Sequence, residues 1–175
     1  MDTAMSRMLP PSRFLPLLVV ALLLWTGCDS NDEGGFSEAD LAGSTYDITE
    51  FVFETDGTGI ADADILGALN ANNSSVRFFS GGNFQIEYQF TGEGQRTIFG
   101  DYSVGGDEVD FNFDDSIADA RRQLLLPDRL SFAIVNDAAR LELEQRLSDI
   151  RLSDFSEEQF GNTRSDGTMI ITLRR

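Results

Sequence analysis

The chain contains no histidine and no lysine, one cysteine (Cys28) and one tryptophan (Trp25). Without histidine there is no Ser-His-Asp triad, no imidazole metal ligand and no side chain that ordinarily titrates near neutrality. Without lysine there is no Schiff base and no P-loop lysine. A single thiol excludes an internal disulfide and a cysteine-rich zinc site. Carboxylate, hydroxyl and arginine chemistry remain, and with them no catalytic role and no cofactor are expected. All 13 cations are arginine, against 30 Asp and Glu, for a net charge of −17. That balance excludes a nucleic-acid partner, which needs clustered cations.

The N-terminal residues give an address. Arg7 and Arg13 precede an unbroken apolar run, Phe14 to Trp25. As a helix these residues would rise about 18 Å, short of the roughly 30 Å hydrocarbon core. The pattern therefore predicts a signal peptide over residues 1–27 rather than a membrane span. Removing it leaves 148 of 175 residues and takes away Asp2, Arg7 and Arg13, so the net charge moves from −17 to −18. That length suits one domain with a core of its own.

The apolar run ends at Thr26-Gly27-Cys28. Small residues before a cysteine at this place resemble the lipobox of bacterial lipoproteins, with Trp25 where the family usually has leucine. The resemblance implies that the Cys28 sulfur carries a diacylglyceryl group, that further acylation of the palmitate type is available, and that the protein is anchored in the cell envelope. Two or more acyl chains hold a protein stably on a membrane. The alternative is an ordinary secretory signal with a chance cysteine. Asp29 to Gly35 is short, polar and glycine-containing, so residues 28–40 are expected to form a flexible tether. An acidic run after the lipidated cysteine also resembles the surface-export signal of some outer-membrane lipoproteins. In other bacteria an Asp right after the cysteine, as Asp29 is here, instead means retention in the inner membrane; an outer-membrane location is the expectation, with membrane and leaflet open. Arginine in place of all lysine, together with abundant aspartate, resembles the proteins of salt-loving bacteria. A GC-rich genome is the other explanation.

From Leu41 onward the dominant pattern has period two, the signature of a strand with one wet and one dry face. Phe84, Ile86, Tyr88 and Phe90 alternate with Gln85, Glu87 and Gln89. Val109, Phe111 and Phe113 alternate with acidic and amide residues, and Leu130, Phe132 and Ile134 with Arg129, Ser131 and Ala133. Ile98, Tyr102 and Val104 keep the pattern with Gly100 in an inward place, and Leu141/Leu143 and Met169/Ile171/Leu173 form later runs. Turn residues separate the runs: Gly81-Gly82, Thr91 to Gly94, Gly105-Gly106-Asp107, Pro127-Asp128 and Asn136-Asp137. Short strands joined by tight turns predict an antiparallel meander. In the first strand, Ser44 to Glu54, inward parity changes between Tyr46/Ile48 and Phe51/Phe53, which predicts a bulge. Asp62 to Asn70 and Ser153 to Phe160 are expected as one or two short helices, capped by Asp62 or Asp64 and by Ser153 or Ser156.

Residues 41–175 are thus expected to form a mainly β domain, an antiparallel up-and-down barrel of about eight strands, whose closure removes exposed sheet edges. Leu41-Ala42-Gly43-Ser44-Thr45-Tyr46, then Gly82-Asn83-Phe84, then Gly100-Asp101-Tyr102-Ser103-Val104-Gly105 resemble, in that order, the small lipocalin-like domains of bacterial lipoproteins. The signature tryptophan of that family is absent, and Tyr46 is the nearest aromatic. The resemblance implies a barrel able to take a small hydrophobic ligand. Phe84, Ile86, Tyr88, Phe90, Tyr102, Phe111, Phe113 and Phe132 are the residues expected to line such a cup, with the tyrosines offering hydroxyls to a polar head and Gly100 leaving room. The alternative is a filled core, in a structural or interaction lipoprotein that binds no ligand. A membrane-spanning barrel fits less well, because most runs are shorter than the roughly ten residues a span needs. No metal site is expected: Asp56 to Asp64 invites a calcium-loop reading, but Ile60 offers no oxygen at the fifth place and Ala61 replaces the required glycine.

Overall fold

The computed structural model describes residues 36–175. The signal segment, Cys28 and tether residues 28–35 lie outside the described residues. A helical turn, Glu38–Leu41, opens the fold, so the last tether positions already belong to the domain. Asp40 holds its start: the Ser37 backbone N–H and hydroxyl both donate to the Asp40 carboxylate, at 2.9 and 2.7 Å. Leu41 is fully buried.

The strands are β1 (Thr45–Thr55), β2 (Ala63–Asp64), β3 (Ser75–Phe79), β4 (Asn83–Tyr88), β5 (Arg96–Gly105), β6 (Glu108–Phe113), β7 (Arg129–Val135), β8 (Arg140–Arg151) and β9 (Arg164–Arg174). The eight strands β1 and β3 to β9 pair in chain order, all antiparallel, and β9 pairs back onto β1. The sheet is therefore a closed up-and-down barrel, as the period-two pattern predicts. The two-residue β2 only doubles β1 at Val52 and Phe53.

The alternation in sequence is the alternation in burial. Phe84, Ile86 and Tyr88 of β4 face inward, as do Val109 and Phe111 of β6 and Leu130 and Phe132 of β7. The predicted parity change in β1 is real. Register with β9 slips between Ile48 and Glu50, and the extra residue lets Tyr46, Ile48, Phe51 and Phe53 all point into the core.

The two ends of the barrel differ. One end carries the tight turns at residues 80–82, 106–107 and 136–139. The other carries the four long connections, residues 56–74, 89–95, 114–128 and 152–163. The helix expected over Asp62 to Asn70 is shorter, Ile65–Ala68, because Ala63 and Asp64 are drawn into pairing with β1. Asp64 caps it, accepting the Gly67 N–H at 2.8 Å. The second expected helix is two turns, a 3-10 turn at Leu152–Asp154 and Glu157–Phe160, the latter capped by the Ser156 hydroxyl. The sequence pattern did not signal the Ala118–Gln123 helix that follows β6. Leu124, Leu125 and Leu126 leave it and enter the core together, which requires Leu125 to take φ +55°.

Candidate functional site

The residues expected to line a ligand cup converge, but on one another. Five of them fall into one linked set of rings. Phe111 stacks on Phe84 with centroids 4.2 Å apart and meets Phe132 at 4.8 Å and Phe78 at 5.6 Å. Phe78 in turn meets Tyr46 at 5.5 Å and Tyr102 at 4.9 Å, and Phe84 meets Phe113 at 5.5 Å. These separations are those of rings in contact. Tyr88 and Phe90 belong to a second chain at the long-connection end, running through Phe155 to Phe160 with spacings of 5.8 to 6.4 Å. Ile86 is buried between these sets on β4. The bulk that reads in sequence as a cup lining meets ring to ring within this set. The room expected at Gly100 is also taken: a Cβ there would stand 2.7 Å from the Phe84 ring and closer still to the Asn112 carbonyl.

The polar handles behave differently from one another. Tyr46 donates its hydroxyl to the Ala138 carbonyl at 2.6 Å, tying β1 to the β7–β8 turn. Tyr102 reaches the carbonyls of Glu38 and Phe79, each at 3.2 Å, and so pins the N-terminal turn across the barrel end. Both hydroxyls give their proton to backbone carbonyls. Tyr88 is fully buried, and among the described residues its hydroxyl has no hydrogen-bond partner. Burial pushes its titration upward, partly offset by the charge of Arg96, its cross-strand partner.

Three of the expected lining residues reach open grooves. Phe90 is half-buried beside Phe155 in a groove of about 680 Å³ where the long connections meet, with Glu93, Gln123 and Glu158 on its rim. Arg96 closes one wall of it by holding Glu93 at 2.7 Å and bonding Gln123. Phe113 and the edge of Phe84 line a second groove of about 400 Å³ beside Phe99, the exposed large apolar residue of the barrel wall. Sequence alternation alone carried no sign of either groove. Among the described residues no cluster of three or more metal-ligating side chains occurs, and no helix is long and apolar enough to cross a membrane.

No family model and no curated protein matches the chain. Among solved structures, a lipocalin-like protein from Bacteroides uniformis ATCC 8492 is similar at 18% identity, over 78% of this chain and 98% of that one, with a TM-score of 0.43. An uncharacterized protein from Bacteroides eggerthii DSM 20697 is similar at 12% identity, over 77% and 99%, with a TM-score of 0.36.

Proposed function

We propose that the chain is a non-enzymatic envelope lipoprotein, held on the outer membrane by acyl chains on Cys28, whose filled barrel acts through its outer surface and rims toward another envelope component. The observation that supports this reading over a ligand carrier is the linked ring set around Phe111. A carrier of apolar ligands keeps an unfilled, largely preformed cavity of some hundreds of Å³, whereas these side chains meet at contact distance. The anchor rests on the apolar run and the small residues before Cys28.

A second reading, a small hydrophobic ligand seated at the mouth rather than within, has one observation in its favour. The buried, unpartnered Tyr88 hydroxyl lies beside Phe90, which lines the mouth groove. Two measurements test the proposal. Intact mass and membrane fractionation should show acylation of the wild type and release of a Cys28→Ala variant into the soluble fraction. Titration of delipidated protein with a fluorescent fatty acid should give no saturable one-to-one binding. A soluble, unmodified wild type would overturn the anchor, and stoichiometric fatty-acid binding would overturn the filled-barrel reading.

A further inference from the structure

Three of the arginines in this acidic chain, Arg122, Arg151 and Arg164, line one open groove of about 380 Å³ at the long-connection end. They come from three elements: the Ala118–Gln123 helix, the end of β8 and the start of β9. Arg151 and Arg164 are direct partners in the β8–β9 register, so their side chains leave the same face of the sheet side by side. Like charges directly opposite one another are unfavourable in an antiparallel pair. A chain with 30 acidic residues nonetheless places a second cation opposite the first.

The acids nearby pair with two of the three. Asp149 pairs with Arg164, and Asp119 with Arg122 from outside the groove. Among the described residues Arg151 forms no ion pair, and Asp154, the other acid of the lining, pairs with none of the three. Counting Asp119, three acids stand against the three cations, so the place is locally neutral on a chain whose net charge is −17. The backbone is shaped around this place. Asp149 sits at φ +56° in the register slip between Leu147 and Ile150, and Leu125 at φ +55° supplies part of the apolar wall with Leu126. Non-glycine residues hold this conformation where surrounding structure imposes it.

We propose that this groove binds a phosphoryl group, with Arg151 and Arg164 as a paired clamp, Arg122 as the third contact, and the apolar body carrying the phosphate lying on Leu125, Leu126 and Ile150. Guanidinium forks match phosphate oxygens two at a time. A phosphomonoester brings a charge of about −1.5 to −2 and three acceptor oxygens, enough to satisfy three guanidinium groups where a single carboxylate is not. The same chemistry is offered by a soluble phosphoester and by an anionic lipid head group. The site is independent of the filled interior and of the Cys28 anchor.

The test is thermal unfolding of the full chain in detergent, in inorganic phosphate and in chloride at matched ionic strength, for the wild type, Arg151→Gln and Arg151→Glu. Both variants change an exposed side chain, so the fold is retained. The wild type should gain a rise in Tm from phosphate beyond that from chloride. Arg151→Gln should weaken the apparent phosphate affinity by about tenfold or more, the size of one charge-assisted hydrogen bond. Arg151→Glu should lose the phosphate response, yet melt higher than Arg151→Gln in chloride, because a glutamate now faces Arg164. Glycerol phosphate and short-chain phosphatidic acid, with phosphatidylcholine of the same chain length as control, separate the two sources. Equal responses point to a soluble phosphoester, and a response confined to the phosphatidic acid points to a lipid head group. A wild-type shift no larger than that in chloride, or a phosphate response undiminished in Arg151→Gln, would overturn the proposal.

Discussion

Truncation of Phe111 to alanine probes the interior where its rings are most crowded. Phe111 is fully buried and touches Phe84, Phe132 and Phe78 at centroid distances of 4.2, 4.8 and 5.6 Å. Removing a buried phenylalanine costs about 3–5 kcal/mol through lost transfer energy plus the cavity left behind. Three ring contacts, each worth about 0.5–1.5 kcal/mol beyond its area, put this site toward the upper half of that range. We therefore expect a loss of about 4 kcal/mol, a large share of the 5–15 kcal/mol typical of a whole domain. At about 3–4 °C per kcal/mol for a domain of this size, Tm should fall by about 10–15 °C. Urea unfolding followed by tyrosine fluorescence and far-UV circular dichroism gives the free energy. The control is Phe99→Ala, which removes a ring that is 51% exposed and should cost under about 0.5 kcal/mol. If Phe111→Ala costs no more than Phe99→Ala, the rings are not close-packed and the filled-core reasoning fails.

Other perturbations separate the roles of the remaining inward residues. Tyr46→Phe leaves the buried Ala138 carbonyl without its 2.6 Å donor and should destabilise by about 1–3 kcal/mol, whereas Tyr88→Phe removes a hydroxyl that has no partner and should be neutral or stabilising; paired urea titrations decide. Gly100→Ala should cost about 1–3 kcal/mol by overpacking against Phe84 and the Asn112 carbonyl, and a stabilised variant would mean that the space is vacant after all. Burial raises the titration of Tyr46, Tyr88 and Tyr102 above the ordinary value of 10.0, so the folded chain holds these protons more tightly than the unfolded chain. Their contribution is complete below about pH 10 and is lost as pH climbs through the raised values, so Tm should decline on the alkaline side of pH 10. Tyrosine ionisation that proceeds at pH 10 without unfolding would contradict that order.

Strand identity was legible because burial imposes it residue by residue. Phe84, Ile86 and Tyr88 can face the core only by alternating with Gln85 and Glu87, and the parity change between Ile48 and Phe51 can be met only by an extra residue in β1. Closure followed from the same pattern, since eight consecutive amphipathic strands leave no edge once β9 meets β1. Contact between side chains was less legible. Alternation states that Phe111, Phe84 and Phe132 point inward, but whether they surround a space or meet depends on barrel radius and rotamer, which have no period. The plug formed by Leu124, Leu125 and Leu126 was missed for a related reason: three consecutive leucines after a short polar helix match neither a strand nor a helix face, and their burial needs the left-handed turn at Leu125. The arginine groove depends on a register. Arg151 and Arg164 stand thirteen positions apart in the chain and become neighbours only through the slip in β8. The signal available beforehand was the scarcity of cations in a chain this acidic.

A filled barrel has its interior occupied by its own side chains. Crystals of the protein pressurised with xenon test this most directly, because xenon enters apolar cavities that are dry and empty. We predict no xenon atom within the ring set of Phe78, Phe84, Phe111 and Phe132 in the wild type, and one beside residue 111 once Phe111→Ala has opened a void. A xenon atom enclosed by those rings in the wild type would show an unfilled cup and contradict the claim.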